Sequence, residues 1–156
     1  MKNIAFIGTS HIHTPNFISK VISNNQINCI GVWDKDKNRS KSDSENLKCK
    51  NYDDYINLLK EPNLDGVIVC SETNLHYELV KKITEHKKHC FIEKPLGIGK
   101  KDSFEMANLI ESSKIIFQTG YFMRSNPVYI KLKELITTNY FGDISRIRLV
   151  NCHDGI

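Results

Sequence analysis

The chain has 156 residues, of which 40% are hydrophobic and 26% are charged, and its formal net charge is +4. This size and balance are typical of one globular domain and exclude a disordered chain, a collagen-like fibre and a coiled coil. No apolar run approaches the roughly 18 residues that a membrane span requires, and the charge is too mild to indicate nucleic-acid binding.

Strand-like apolar runs alternate with helical patterns along the whole chain. In chain order we predict strand 3–7, helix 16–23, strand 27–33, a solvated helix within 35–50, helical turns at 52–59, strand 66–70, helix 75–86, strand 90–93, helix 102–113 with Asp102 as its N-cap, strand 115–119, helix 128–138 and strand 144–150. The early strands are continuously apolar, which favours a parallel sheet with helices on both faces. The predicted fold class is therefore α/β, a doubly wound parallel sheet of the Rossmann type.

The last predicted strand, 144–150, differs from the others because apolar and polar residues alternate along it. An alternating strand has one apolar face to bury and an open edge. We expect it to pair with another copy of the chain, to pack back on the domain or to be poorly ordered.

The cysteines and histidines indicate neither disulfides nor a metal site. No C-x-x-C pair occurs among the five cysteines, which are Cys29, Cys49, Cys70, Cys90 and Cys152. We expect reduced structural thiols in a cytoplasmic protein. His11 and His13 form an H-x-H pair, but two ligands without a third nearby are weak evidence for a metal, so none is expected.

Ligands of a doubly wound sheet bind beyond the carboxyl ends of its strands. After the first strand, the segment Gly8-Thr9-Ser10-His11-Ile12-His13 has the first glycine of the G-x-G-x-x-G dinucleotide fingerprint, while Ser10 and His13 replace the second and third. Asp34 ends the second strand, where a carboxylate accepts hydrogen bonds from ribose hydroxyls and repels a 2′-phosphate, which favours NAD. Alternatively Asp34 caps the following turn. The nearby cations leave NADP open; they are Lys35, Lys37 and Arg39.

Three further polar turns follow strands. The first is Cys70-Ser71-Glu72-Thr73-Asn74-Leu75-His76, in which Thr73 and Asn74 either face a cofactor or cap the next helix. The second is Glu93-Lys94-Pro95, where a lysine at a strand end points into the crevice and is useful near a carbonyl or hydroxyl. The third, Gly120 to Pro127, places Tyr121 or Arg124 at the crevice.

Taken in order, these turns resemble one family, the glucose–fructose oxidoreductase / inositol dehydrogenase (Gfo/Idh/MocA) family. The resemblance rests on the first-strand turn with Gly8, on Asp34-Lys35-Asp36-Lys37-Asn38-Arg39, on Ser71 to His76, on Glu93-Lys94-Pro95, on Gly120 to Pro127 and on Phe141-Gly142-Asp143-Ile144. The order and spacing of these motifs are jointly specific and cover essentially the whole chain.

The resemblance implies a dinucleotide-binding Rossmann domain, assigned to residues 1–142. It implies hydride transfer between NAD, or NADP, and a sugar, cyclitol or related polyol, with Lys94 as the catalytic residue near the nicotinamide and the reacting hydroxyl. The residues expected to bind the cofactor are Gly8, Thr9, Ser10, His11, Ile12, Asp34, Lys35, Cys70, Ser71, Glu72, Thr73, Asn74, His76, Glu93, Lys94, Pro95, Tyr121 and Arg124.

The chain also departs from the family pattern. Ser10 and His13 weaken the phosphate turn, and Glu72 stands where a proline is common. The family's second domain, which supplies much of the substrate pocket, is missing, so residues 143–156 are interpreted as its truncated start and the chain alone is expected to be inactive. The expected partners are the substrate in the full-length enzyme and a second copy through the C-terminal strand. The alternative is a non-catalytic Rossmann module that binds another ligand or regulates a protein.

Overall fold

The computed structural model describes residues 1–150 and 152. The chain divides into two compact units, Met1–Gly120 and Tyr121–Ile156. In the part of the chain that the structure describes, no helix combines the length and the hydropathy that a membrane crossing requires.

The first unit contains a six-stranded sheet in which every neighbouring pair is parallel. Its strands are β1 (Lys2–Ile7), β2 (Ile27–Trp33), β3 (Lys50–Asn51), β4 (Gly66–Val69), β5 (His89–Ile92) and β6 (Phe117–Thr119), and they lie in the order β3-β2-β1-β4-β5-β6. The α/β, Rossmann-like prediction is therefore confirmed. The sequence pattern missed β3 because its two residues are polar and exposed, and only their pairing with Gly31 and Val32 defines the strand.

Helices connect the strands. They are α1 (Thr14–Ile22), α2 (Lys37–Leu47), α3 (Tyr55–Leu59), α4 (His76–Glu85) and α5 (Gly99–Ser113), with a 3-10 turn at Thr73–Leu75 before α4. The prediction that Asp102 caps its helix is wrong, because α5 begins three residues earlier with Ile98 at the N-cap. Asp102 lies in the first turn instead, where its charge favours the helix dipole.

The core lies on both faces of the sheet, because the side chains of β1 alternate between the faces. Ala5 and Ile7 pack in a large cluster with residues of α3, α4 and α5, whereas Phe6 packs in a smaller cluster with residues of α1 and α2. Burial of β1 on both sides holds its carboxyl end at a fixed place in the middle of the sheet.

The second unit contains a 3-10 turn at Phe122–Ser125 and the helix α6 (Pro127–Thr137), which begins where the Asn126 side chain accepts a hydrogen bond from the Val128 amide. Residues 144–150 form no strand and are all exposed, so the predicted last strand is wrong. A strand needs a neighbour for its backbone hydrogen bonds, and no described residue pairs with this segment. The rest of the predicted segment 143–156, residues 151 and 153–156, lies outside the described residues.

Candidate functional site

The strand order reverses at β1, which has β2 on one side and β4 on the other. The crevice beyond such a switch point is the general ligand site of open α/β sheets. The turn after β1 is tied to both neighbours here, because the Gly8 amide donates to the Trp33 carbonyl at 2.7 Å and the Cys70 amide donates to the Gly8 carbonyl at 3.1 Å.

Gly8 is the one glycine of the fingerprint that this chain keeps, and the geometry explains why. Its φ is +77°, and an added Cβ would lie 2.4 Å from the Ser71 Cβ. A side chain at this position would be strained and would collide with the β4–α4 turn. The first glycine therefore brings the two turns on either side of the switch point into contact.

The rest of the β1–α1 turn offers a place for an anion. The His11 amide donates to the Cys70 carbonyl at 2.9 Å, whereas the amides of Ser10 and Ile12 have no acceptor among residues 1–150 and 152. Free amides just before a helix, together with the positive end of its dipole, form an anion site. Although the second and third glycines of the fingerprint are absent, the turn therefore has two amide donors available for an anion such as a pyrophosphate.

Asp34 lies at the end of β2, only 1% exposed, and all its contacts come from the chain itself. Its carboxylate accepts from the Thr9 amide at 2.6 Å, from the Asp36 amide at 2.8 Å and from the Arg39 guanidinium at 3.2 Å. The alternative of a turn-capping role is thus realised. The predicted contact with ribose stays a prediction.

Lys35 and Glu72 link the turn after β2 to the turn after β4. The Lys35 ammonium lies 2.8 Å from a Glu72 carboxylate oxygen, and the side chains are 53% and 34% exposed. Desolvation acts to raise the pKa of Glu72, but hydrogen bonds and the charge of Lys35 outweigh it and leave that pKa below its usual value. Both residues were predicted at the site, but their pairing was not.

The Glu93-Lys94-Pro95 turn follows β5, and the Lys94–Pro95 peptide bond is cis. Glu93 is buried and its carboxylate accepts from the Lys94 amide at 2.8 Å. The Lys94 side chain is exposed. The turn therefore has a fixed backbone that presents a lysine to solvent at the strand end.

His76 joins this turn to the one after β4. Its ring is 1% exposed, with Nδ1 3.0 Å from the Pro95 carbonyl oxygen and Nε2 3.3 Å from the Ser71 carbonyl oxygen. A single side chain thus contacts the backbone on both sides of the crevice between β4 and β5. Thr73 and Asn74 lie in the 3-10 turn just before it, at the start of α4.

His11 lies within electrostatic range of the same groups. Burial lowers the pKa of the His11 imidazole, the charge of Glu93 opposes that shift, and the charge of Lys94 adds to it. The turns after β1, β4 and β5 therefore form one neighbourhood. Cys70 at its base is buried, and burial raises the pKa of this thiol to about 12, so it is a packing residue rather than a nucleophile.

Two residues of this neighbourhood were not predicted as site residues. Arg39 was considered only as a nearby cation that leaves NADP open, yet it pairs with the buried Asp34. Gly120 lies beside Glu93, and an added Cβ would be 2.7 Å from its carboxylate oxygen. The five-residue spacing from Asp34 to Arg39 was the available signal for the first. For the second the signal was its place at the start of the Gly120–Pro127 turn, although the contact with Glu93 was not predicted.

Tyr121 and Arg124 belong to the second unit, so their assignment to the cofactor site stays a prediction. Arg124 lies in the 3-10 turn, where its amide donates to the Tyr121 carbonyl at 3.0 Å. The described residues contain no group of three or more His, Cys, Asp or Glu side chains arranged to hold a metal ion.

We expect His76→Leu to destabilise the first unit by about 1–3 kcal/mol, because the ring that lies between the carbonyl oxygens of Ser71 and Pro95 is lost and the oxygen that accepts its N–H is left without a buried partner. His86→Leu is the matched control, since the His86 ring bonds to the Lys82 carbonyl one turn back in α4 and links no separate turns. Urea unfolding followed by circular dichroism measures both variants. Equal midpoints for the two variants would contradict a bridging role for His76.

Comparison with known proteins identifies a family match over most of the chain. Residues 2–121 match the Gfo/Idh/MocA family, described as "Oxidoreductase family, NAD-binding Rossmann fold". That range contains the whole parallel sheet and the turns after β1, β2, β4 and β5.

Several of the relatives are named as inositol dehydrogenases. The chain is 33% identical over 146 residues to a myo-inositol 2-dehydrogenase of Thermotoga maritima, covering 93% of this chain and 42% of the relative. It is 27% identical over 143 residues to an inositol 2-dehydrogenase/D-chiro-inositol 3-dehydrogenase of Lactiplantibacillus plantarum, covering 89% of this chain and 39% of the relative. The structure of a scyllo-inositol dehydrogenase from Lactobacillus casei, with bound NAD(H) and scyllo-inositol, shares the fold with a TM-score of 0.77 at 18% identity, covering 93% and 43%. The chain thus spans about two fifths of the length of these relatives.

Proposed function

Because the chain belongs to the Gfo/Idh/MocA oxidoreductase family, we propose that it binds NAD(H) in the crevice beside β1 as part of an enzyme that moves a hydride between the nicotinamide and a cyclitol, sugar or related polyol. The named activities of the inositol dehydrogenase relatives support the substrate class. NAD supplies the hydride chemistry when bound, and the chain supplies position and charge.

The single observation that carries this proposal is the convergence of three strand-end turns on Gly8. The Gly8 turn touches Ser71 after β4, its neighbour Thr9 donates to Asp34 after β2, and the His76 ring links the Ser71 backbone to the Pro95 backbone after β5. In this arrangement the free amides of Ser10 and Ile12 would hold the pyrophosphate. The residues after β2 would then face the adenosine, and those after β5 would face the nicotinamide.

Lys94 is the group we assign to the reacting hydroxyl. Its backbone is fixed by Glu93 while its side chain is exposed at the strand end, so an ammonium or amine is available to hold or move a proton of the substrate hydroxyl. The His76 ring contacts the Pro95 carbonyl and so supports this turn.

We expect Ile12→Glu to weaken NADH binding at least about tenfold. Ile12 is 61% exposed at the start of α1, so a carboxylate there keeps the fold and places a negative charge beside the proposed pyrophosphate site. Isothermal titration with NADH gives the dissociation constants.

Ile22→Glu is the control. Ile22 is 57% exposed at the other end of the same helix, so it makes the same change of net charge far from the site and should leave NADH affinity within twofold. Equal affinities of the two variants would refute the proposed pyrophosphate site. No saturable binding by the wild type at millimolar NADH would refute the proposed function and favour a non-catalytic binding module.

A further inference from the structure

The NAD preference of Rossmann domains is usually assigned to the acidic residue that ends β2, because its charge repels a 2′-phosphate. Here that residue is Asp34, which is 1% exposed and pairs with Arg39. A carboxylate that is buried and neutralised by a guanidinium presents little negative charge to a ligand in solvent. Asp34 is therefore poorly placed to exclude NADP.

The cations after β2 would instead attract a 2′-phosphate if they were free. Arg39 is held by Asp34 and Asp36, and Lys37 lies 3.4 Å from an oxygen of Asp53. Lys35 follows Asp34 directly, and its side chain is 53% exposed. Its ammonium lies 2.8 Å from Glu72, which comes from the other side of the switch point.

We propose that Glu72 sets the preference for NAD over NADP by occupying the Lys35 ammonium, which would otherwise be available to a 2′-phosphate. This inference rests on the proposed function. It places the discriminating residue on the turn after β4 rather than on β2. It also gives a role to a residue that replaces the family's common proline.

The geometry of the Lys35–Glu72 pair explains why Glu72 alone controls the choice between NAD and NADP. Glu72 stands immediately after Ser71, which is fixed against Gly8 and His76, so its backbone has a constant position relative to the crevice. A lysine held at 2.8 Å by this carboxylate cannot also bind a phosphate without giving up the pair. With Glu72 neutral, the same lysine becomes a phosphate ligand.

The experiment compares NADH and NADPH dissociation constants, measured by isothermal titration, for the wild type and Glu72→Gln. We expect the wild type to bind NADH more tightly and the variant to shift the NADPH-to-NADH affinity ratio about tenfold toward NADPH. Glu85→Gln is the matched control, because Glu85 pairs with Lys82 at the same 2.8 Å at the far end of α4. It should leave the ratio unchanged.

The double variant Lys35→Met/Glu72→Gln identifies the phosphate ligand. The gain in NADPH affinity should disappear in it, whereas a gain that persists would overturn the role of Lys35. If the wild type binds NADH and Glu72→Gln has the same NADPH-to-NADH affinity ratio as the wild type, the inference is overturned and the proposed function stands. Failure of the wild type to bind either cofactor would overturn both.

Discussion

Gly8→Ala is expected to destabilise the first unit by about 2–5 kcal/mol and to abolish NADH binding. The left-handed backbone at φ +77° costs an alanine about 1–2 kcal/mol, and forcing a methyl group into a packed contact adds about 1–3 kcal/mol. The methyl group would also push apart the turns after β1 and β4, which the anion site requires to stay together. Chemical unfolding and NADH titration measure the two effects.

Gly99→Ala is the matched control for this prediction. Gly99 has almost the same φ, +81°, but an added Cβ there would meet nothing within 4 Å. We expect only the backbone cost of about 1–2 kcal/mol and unchanged NADH affinity. The difference between the two variants isolates the contact with Ser71, and equal destabilisation would show that this contact is unimportant.

A second variant tests whether the contact itself causes the loss. In Gly8→Ala/Ser71→Gly the Cβ of residue 71 is gone, but its Cα and amide nitrogen would still lie 2.7 Å and 2.9 Å from the new methyl group. We therefore expect partial recovery of stability. Full recovery would contradict the backbone part of the clash.

The sequence predicted the sheet and its turns because these depend on local signals. Continuous apolar runs marked five of the six strands, and the strand ends then identified Gly8, Asp34, the Ser71–His76 turn and the Glu93-Lys94-Pro95 turn as neighbours. The pairings were beyond its reach. That Asp34 is buried depends on packing around it, and that Lys35 reaches Glu72 depends on two turns that are far apart in the chain, which no local spacing reveals.

The errors have a common cause as well. β3 was missed and a strand at 144–150 was wrongly predicted, because both depend on whether a partner strand is present. Lys50 and Asn51 are polar but pair with β2, whereas residues 144–150 alternate well but find no partner among the described residues. Periodicity reports which face a strand would bury, and hydrogen bonding decides whether the strand exists.

Asp34→Ala is expected to lower the free energy of unfolding by about 3 kcal/mol, since removing one partner of a buried ion pair leaves the other groups without a partner. The Thr9 amide loses its 2.6 Å acceptor, and the Asp36 amide and Arg39 lose theirs. The cost lies at the lower end of the usual range because the Arg39 side chain is 33% exposed and regains water. Thermal and urea unfolding measure the loss.

Asp36→Ala separates the buried carboxylate from its neighbour. Asp36 also faces Arg39, at 3.5 Å, but it is 46% exposed and caps α2 by accepting from the Asn38 amide. Loss of that cap should cost about 1 kcal/mol. A cost as small as this for Asp34→Ala would mean that Asp34 does not anchor the Gly8 turn. If Asp34→Asn, although less stable, keeps the NADH-over-NADPH ratio of the wild type, the charge of Asp34 has no part in cofactor choice. Discrimination would then be left to Glu72.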